Sequence, residues 1–136
     1  MEFKKNKITN MDFPSDLSYS KEHTWLRIEG NTGTIGITEF AQSELGEIVY
    51  VDLPNDGYFF EQNKVFGSVE AIKTVSDLFI PVSGKVIETN KKLLQTPELV
   101  NEDFYGEGWL MKIEITNMDE MENLLSSDQY KQNINL

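Results

Sequence analysis

Three features of this sequence predict a mainly β domain, a flattened barrel or sandwich edged by short helices. Short runs alternate apolar and polar residues with period two, as in Thr24-Trp25-Leu26-Arg27-Ile28 and Trp109-Leu110-Met111-Lys112-Ile113-Glu114-Ile115. Turn-forming residues punctuate those runs, as in Gly30-Asn31-Thr32-Gly33 and Pro54-Asn55-Asp56-Gly57. Helical spacing is confined to brief segments, and many short strands with few helices favour a sandwich or barrel.

In chain order, Met1 to Asn10 holds Lys4, Lys5 and Lys7 with little apolar content. It lacks the apolar stretch of a secretory signal and reads as part of a disordered extension over residues 1–11, with Met11 as an alternative start. A single domain is expected over 12–136, its folded part beginning between Asp12 and Leu17. Thr24–Ile28 is a strand on its aromatic and β-branched content, and Thr34–Ile37 is its return across the glycine turn. Thr38 is an N-cap for a short helix over Phe40–Leu45 that Gly46 ends. Glu47–Leu53 is the next strand, closed by the Pro54–Gly57 turn.

Val65–Ala71 and Val75–Val82 form a hairpin hinged at Lys73, bounded by Pro81 and Gly84. Neighbouring side chains at such a bend cannot cover the lysine, which leaves it as an attachment point. Lys85–Glu88 is another strand, and Thr96-Pro97-Glu98 opens a brief helical turn with proline at its first position. Asp103–Gly108 is a glycine-punctuated loop before the Trp109–Ile115 strand. Asn117 and Glu120 read as a capping pair for a C-terminal helix over Met118–Leu125, and Ser127–Lys131 adds a turn before the tail frays.

The composition narrows the chemistry. The chain of 136 residues has 23 acidic against 12 basic residues and a formal charge of −11, which opposes binding to nucleic acid or an anionic membrane surface. Acidity suits partners with basic docking surfaces as well as it suits simple solubility. No apolar run approaches the length of a bilayer span. With no cysteine and one histidine, disulfides, Cys- or multi-His metal sites and cysteine nucleophiles are excluded, and no metal site is expected. Chemistry must come from something bound or attached.

Several residues invite a sharper reading. Gly106-Glu107-Gly108 lacks the lysine and long helix of a phosphate loop. Trp25 and Trp109 sit on alternating strands and read as core. His23 beside Glu22 has the chemistry of a general base, but the plainer reading, a solvent-exposed histidine ahead of a strand, is preferred.

The run Glu70-Ala71-Ile72-Lys73-Thr74-Val75-Ser76-Asp77, followed by Pro81-Val82-Ser83-Gly84, resembles the lipoyl-lysine hairpin of the glycine cleavage H-protein family. Further blocks are similar to that family in order and spacing: Tyr19-Ser20-Lys21-Glu22-His23-Thr24-Trp25, Ile35-Gly36-Ile37-Thr38, Leu45 to Pro54, Pro97 to Asn101 and Tyr105 to Trp109. They cover about Leu17 to Tyr130.

The resemblance implies a barrel-sandwich hybrid of the biotinyl/lipoyl type and a carrier, not itself an enzyme. It implies lipoic acid in amide linkage to Lys73, with Glu70 and Gly84 at positions used by the lipoylating enzyme. The implied role is to take an aminomethyl group from glycine at the decarboxylase (P protein) and present it to the aminomethyltransferase (T protein). Reoxidation falls to dihydrolipoamide dehydrogenase (L protein), and attachment of the cofactor to a lipoate ligase or lipoyltransferase. It also implies a cleft that shields the loaded arm, with Glu22, Thr24, Glu44 and Asp77 at the matching positions. Some family members carry glutamate where this chain has Thr24 and histidine where it has Glu44. The expected setting is a monomer in a bacterial cytoplasm, or in a mitochondrion if the source is eukaryotic.

Two other readings compete. A biotin carrier would place methionine on both sides of the lysine, where this chain has Ile72 and Thr74. A lipoyl-relay or H-like protein would share the fold and donate its lipoyl group to other enzymes, or serve as a non-catalytic interaction module.

Overall fold

The computed structural model describes residues 10–134. Most of the extension expected over 1–11 therefore lies outside the described residues. Of its last two positions, Met11 packs against an aromatic cluster formed by Phe13, Leu17, Tyr19, Trp25 and Tyr130.

Among the described residues, nine strands form two antiparallel sheets. They are β1 (Ser18–Tyr19), β2 (Thr24–Glu29), β3 (Thr32–Ile37), β4 (Ile48–Asp52), β5 (Phe59–Phe60), β6 (Val65–Ala71), β7 (Val75–Phe79), β8 (Gly84–Thr89) and β9 (Met111–Ile115). The larger sheet runs β1-β2-β3-β9-β8-β5 and the smaller β4-β6-β7. Leu26, Ile35, Met111, Ile113 and Val86 from the first meet Ile48, Val51, Val69, Ala71 and Leu78 from the second in one buried core. The architecture is a β sandwich, as expected. The helices are short: α1 (Glu39–Leu45), α2 (Leu99–Glu102) and α3 (Ser127–Ile134), with 3₁₀ turns at Lys91–Leu94 and Met118–Asn123.

The strands keep their inner faces apolar despite an imperfect alternation, and bulges are the reason. In β4, Ile48 and Val51 are buried while Val49 and Tyr50 between them are exposed, and the register with β6 shifts between Ile48 and Tyr50. In β6, Phe66 and Val69 are both buried across a shift between Val65 and Gly67. In β8, exposed Ile87 and Glu88 follow buried Val86 at a third shift. One extra residue flips the parity of everything beyond it, so the bulges in β4 and β6 return Val51 and Val69 to the core.

Thr38 caps α1 as expected, its hydroxyl accepting from the Ala41 amide, and Gly46 closes the helix at φ 82°. The segment after Pro97 differs. Helix α2 starts at Leu99, and no side chain caps it. The pairing of Asn117 with Glu120 is also different from the expectation. Asn117 does accept from the Asp119 amide, but the turn that follows is 3₁₀. The Glu120 carboxylate is drawn to Ser83, taking its amide at 2.7 Å and its hydroxyl at 2.9 Å. A partner that satisfies both carboxylate oxygens outweighs a local cap on an exposed turn. The tail does not fray after Lys131: α3 continues to Ile134, and Tyr130 is fully buried.

Gly67 marks the closest approach of β6 to the end of β4. A Cβ there would lie 2.2 Å from the Asp52 carbonyl oxygen, a backbone atom that cannot rotate away. Gly67→Ala is therefore expected to cost about 1–3 kcal/mol, read as a lower midpoint in urea denaturation with an unchanged slope.

Candidate functional site

The β6–β7 hairpin presents Lys73 at its tip. The Ala71 amide donates to the Thr74 carbonyl at 2.8 Å to close the turn, and the Ile72 amide donates to the Glu47 carbonyl at 3.3 Å, tying the tip to the start of β4. Below the tip, Val69, Ala71 and Leu78 are buried and fix the strands on the core. At the tip everything opens outward: Lys73 and Thr74 are exposed, and the flanking Ile72 and Val75 are 65% and 64% exposed. The result is a primary amine on a rigid pedestal, clear of any group that would bury it.

The outer face of the small sheet is built in register with that tip. Tyr50, Glu70 and Val75 form one cross-strand row, and Asp52, Ser68 and Asp77 the next. Glu70 is exposed beside the tip, as the sequence suggested. Gly84 lies elsewhere. It is buried in β8 of the other sheet, opposite Ile115 and Phe60, where a Cβ would meet the Ile113 side chain at 2.7 Å and the Glu114 carbonyl at 2.8 Å. A close interstrand approach is thus a sufficient physical reason for that glycine.

Of the four expected cleft residues, two gather around His23. Both Glu22 and Glu44 act on it electrostatically. Glu22 also lines a cavity of about 660 Å³ whose walls include Gln62, Phe79, Glu122 and Gln129. Phe79 ends β7, roughly 13 Å along the strand from Val75 beside the tip. Thr24 is turned inward. It is 1% exposed, its hydroxyl 2.7 Å from that of Ser20 and donating to the Phe79 carbonyl at 3.3 Å. It binds the start of β2 to the end of β7 and so supports the cleft floor. Asp77 projects from the outer face of β7, and no hydrogen bond or ion pair among the described residues joins it to the other three.

His23 is not the exposed histidine that the sequence favoured. It is half-buried, holds a left-handed backbone at φ 73°, and lies 5.2 Å from the Phe40 ring. Its Nδ1 is 2.8 Å from the Tyr130 hydroxyl, which is itself 2.8 Å from the Thr38 hydroxyl. Burial lowers the imidazole pKa, and the nearby Glu22 and Glu44 only partly oppose this. Tyr130, one of the residues holding this corner, was not singled out from sequence. The one available signal was that it is the sole aromatic after Trp109. The two tryptophans divide: Trp25 is fully buried and donates Nε1–H to the Phe104 carbonyl, whereas Trp109 is half-buried with the Lys112 ammonium over its ring.

Comparisons with known proteins converge on one family. The family model described as glycine cleavage H-protein matches residues 17–135. The glycine cleavage system H protein of Symbiobacterium thermophilum is 56% identical over 117 residues, covering 86% of this chain and 91% of its own length. That of Staphylococcus haemolyticus is 53% identical over 124 residues, covering 91% and 98%. The crystal structure of a glycine cleavage system H protein from Mycobacterium marinum superposes with a TM-score of 0.83 at 35% identity, covering 91% of this chain and all of the other.

The depressed imidazole pKa fixes a sign for pH dependence. The unfolded chain binds a proton more readily at His23 than the folded one, so the contribution is fully present above the ordinary value of 6.5 and is lost as pH falls through the lowered native value. Between about pH 7.5 and 5.5, thermal melts should show wild type losing stability while His23→Asn changes less. Parallel curves for the two proteins would show that His23 carries no such linkage.

Proposed function

Because this chain belongs to the glycine cleavage H-protein family, we propose that Lys73 is its site of lipoyl attachment and that the protein serves as the lipoyl carrier of a glycine cleavage system. The observation that carries the assignment is the hairpin tip, where Lys73 stands exposed between exposed Ile72 and Val75 on strands whose other faces are buried. The residues fit the group. An acylating enzyme needs an uncovered amine on an extended, accessible turn, and Lys73 offers one.

When bound, the lipoyl group supplies a disulfide that takes up an aminomethyl unit on one sulfur and is regenerated by later oxidation of the dithiol. The chain's own residues do the rest. The 71–74 turn and the bond to Glu47 hold the attachment point in place while the arm swings. Glu70, in register with Val75 beside the tip, offers the lipoylating enzyme a charge at a fixed distance from its target. Glu22, Glu44 and Asp77 supply carboxylates for a cationic amine, and the walls around Glu22 limit access of water. The absence of cysteine leaves no protein thiol to exchange with the lipoyl sulfurs.

The carrier reading requires successive encounters with a glycine decarboxylase, an aminomethyltransferase, a dihydrolipoamide dehydrogenase and a lipoate ligase or lipoyltransferase. One arm on a protruding turn suits such a relay, because the attachment raises the local concentration of cargo at each enzyme in turn. The exposed acids Asp52, Glu70 and Asp77 around the tip favour basic docking surfaces on those enzymes. The Thr24 hydroxyl faces inward, and Glu22 beside it lines the cavity together with Glu122.

Intact mass after co-expression with a lipoate ligase is expected to rise by one lipoyl group, and Lys73→Arg to abolish the rise. An unshifted wild type would refute the assignment. For the cleft, Glu22→Gln and Asp77→Asn should each hasten loss of the carried one-carbon unit, followed as formaldehyde released from glycine-loaded protein, with lipoylation unaffected. Unchanged release in both variants would remove the shielding role from these carboxylates.

A further inference from the structure

The C-terminal helix meets the His23 corner through the Tyr130 hydroxyl. Tyr130 is fully buried, stacked on Tyr19 at 4.9 Å and 15°, with Phe13 edge-on at 5.5 Å. Its oxygen lies 2.8 Å from both His23 Nδ1 and Thr38 Oγ1. His23 is the residue between Glu22 and Thr24, and Thr38 is the cap of the helix that bears Glu44. One atom on α3 thus adds a side-chain bridge between the two segments that bear Glu22 and Glu44, beside the bond that the Thr38 amide donates to the His23 carbonyl at 3.1 Å.

The donors and acceptors admit two directions for this chain, and in one of them Thr38 donates. Thr38 Oγ1 already accepts from the Ala41 amide at 3.2 Å, so its own hydroxyl hydrogen is free to donate to Tyr130. Tyr130 then donates to Nδ1 of a neutral imidazole that carries its proton on Nε2. Both hydroxyls and Nδ1 are bonded in this arrangement. A protonated imidazole would turn Nδ1 into a donor and reverse the order, leaving Thr38 to find a new acceptor in a buried setting. The groups facing His23 are Glu22 on its own turn, Glu44 on α1 and Tyr130 on α3.

We propose that Tyr130 is a positioning residue for the shielding cleft: its hydroxyl, bridging His23 and Thr38, holds the Glu22 turn and the Glu44 helix in the relative placement that retains the carried one-carbon unit. This rests on the carrier and cleft roles given above. Tyr130 acts through its two partners and need not touch the cargo.

The test uses full-length lipoylated protein, loaded with glycine by a decarboxylase and normalised for loading by intact mass, with Tyr130→Phe, which keeps the ring and its stacking. Formaldehyde release is expected to quicken about fivefold, the factor carried by one net hydrogen bond. A second readout needs no cargo. The chain has one histidine, so its ¹⁵N resonances report the tautomer of His23 directly. Wild type should show the Nε2–H form, and Tyr130→Phe a mixture of tautomers. If Tyr130→Phe is poorly folded, His23→Asn, which tolerates the left-handed backbone, removes the ring acceptor instead and should quicken release equally. Wild-type release from either folded variant, while Glu22→Gln is fast, overturns the positioning role and leaves the cleft standing. Unchanged release in Glu22→Gln itself overturns the cleft, and the positioning role with it.

Discussion

Everything at the hairpin depends on burial of the inner face of the small sheet. A turn can hold a lysine away from the protein only if the strands leading to it are pinned. Val69, Ala71 and Leu78 do the pinning against the larger sheet, while Glu70, Val75 and Asp77 face outward. Each fully buried Val or Leu side chain is worth about 1.5–3 kcal/mol. That gain is large beside the single 2.8 Å backbone bond that closes the turn. The pedestal is held by its base, and the side chains of residues 72–75 at the tip stand exposed. The bulges in β4 and β6 serve the same end, since each restores the apolar residues beyond it to the inner face.

Local information carried much of this. The alternation in β2 and β9, the Thr38 cap, the Gly46 stop and the Lys73 turn all follow from residues within a few positions of one another. The sandwich follows from the strands. What the sequence could not show were contacts chosen among competitors far along the chain. Glu120 has a good local use as a capping partner, yet Ser83, 37 residues away, offers both an amide and a hydroxyl. His23 is flanked by Glu22 and precedes a strand, so it reads as exposed, but its partner Tyr130 lies 107 residues away. Periodicity has no access to separations of that kind.

The candidate site divides along the same line. The exposure of Lys73 was legible because it follows from a turn, whereas Glu70 was named from resemblance. The cleft residues were named from resemblance alone, and their fates differ for physical reasons. Thr24 has a hydroxyl that can be satisfied by Ser20 and the Phe79 carbonyl, so it tolerates full burial. Glu22 would need a compensating cation to be buried, and it stays at the cavity wall instead. Gly84 illustrates the converse. A residue noted for recognition by an enzyme has a complete explanation in the packing of β8 on β9.

The corner around His23 joins stability to the site. A half-buried imidazole in a left-handed conformation is an expensive arrangement, which survives only if surrounding groups over-determine it. Tyr130 and Thr38 do so with two hydrogen bonds, and the aromatic cluster of Phe13, Tyr19 and Tyr130 seals them from water. Burial also raises the Tyr130 pKa, so its hydroxyl stays neutral and able to donate. Protonating His23 therefore works against the chain of bonds and against the burial at once. Under the positioning role proposed for Tyr130, fold and cleft would answer to the same proton, because the same hydroxyl bonds both His23 and Thr38.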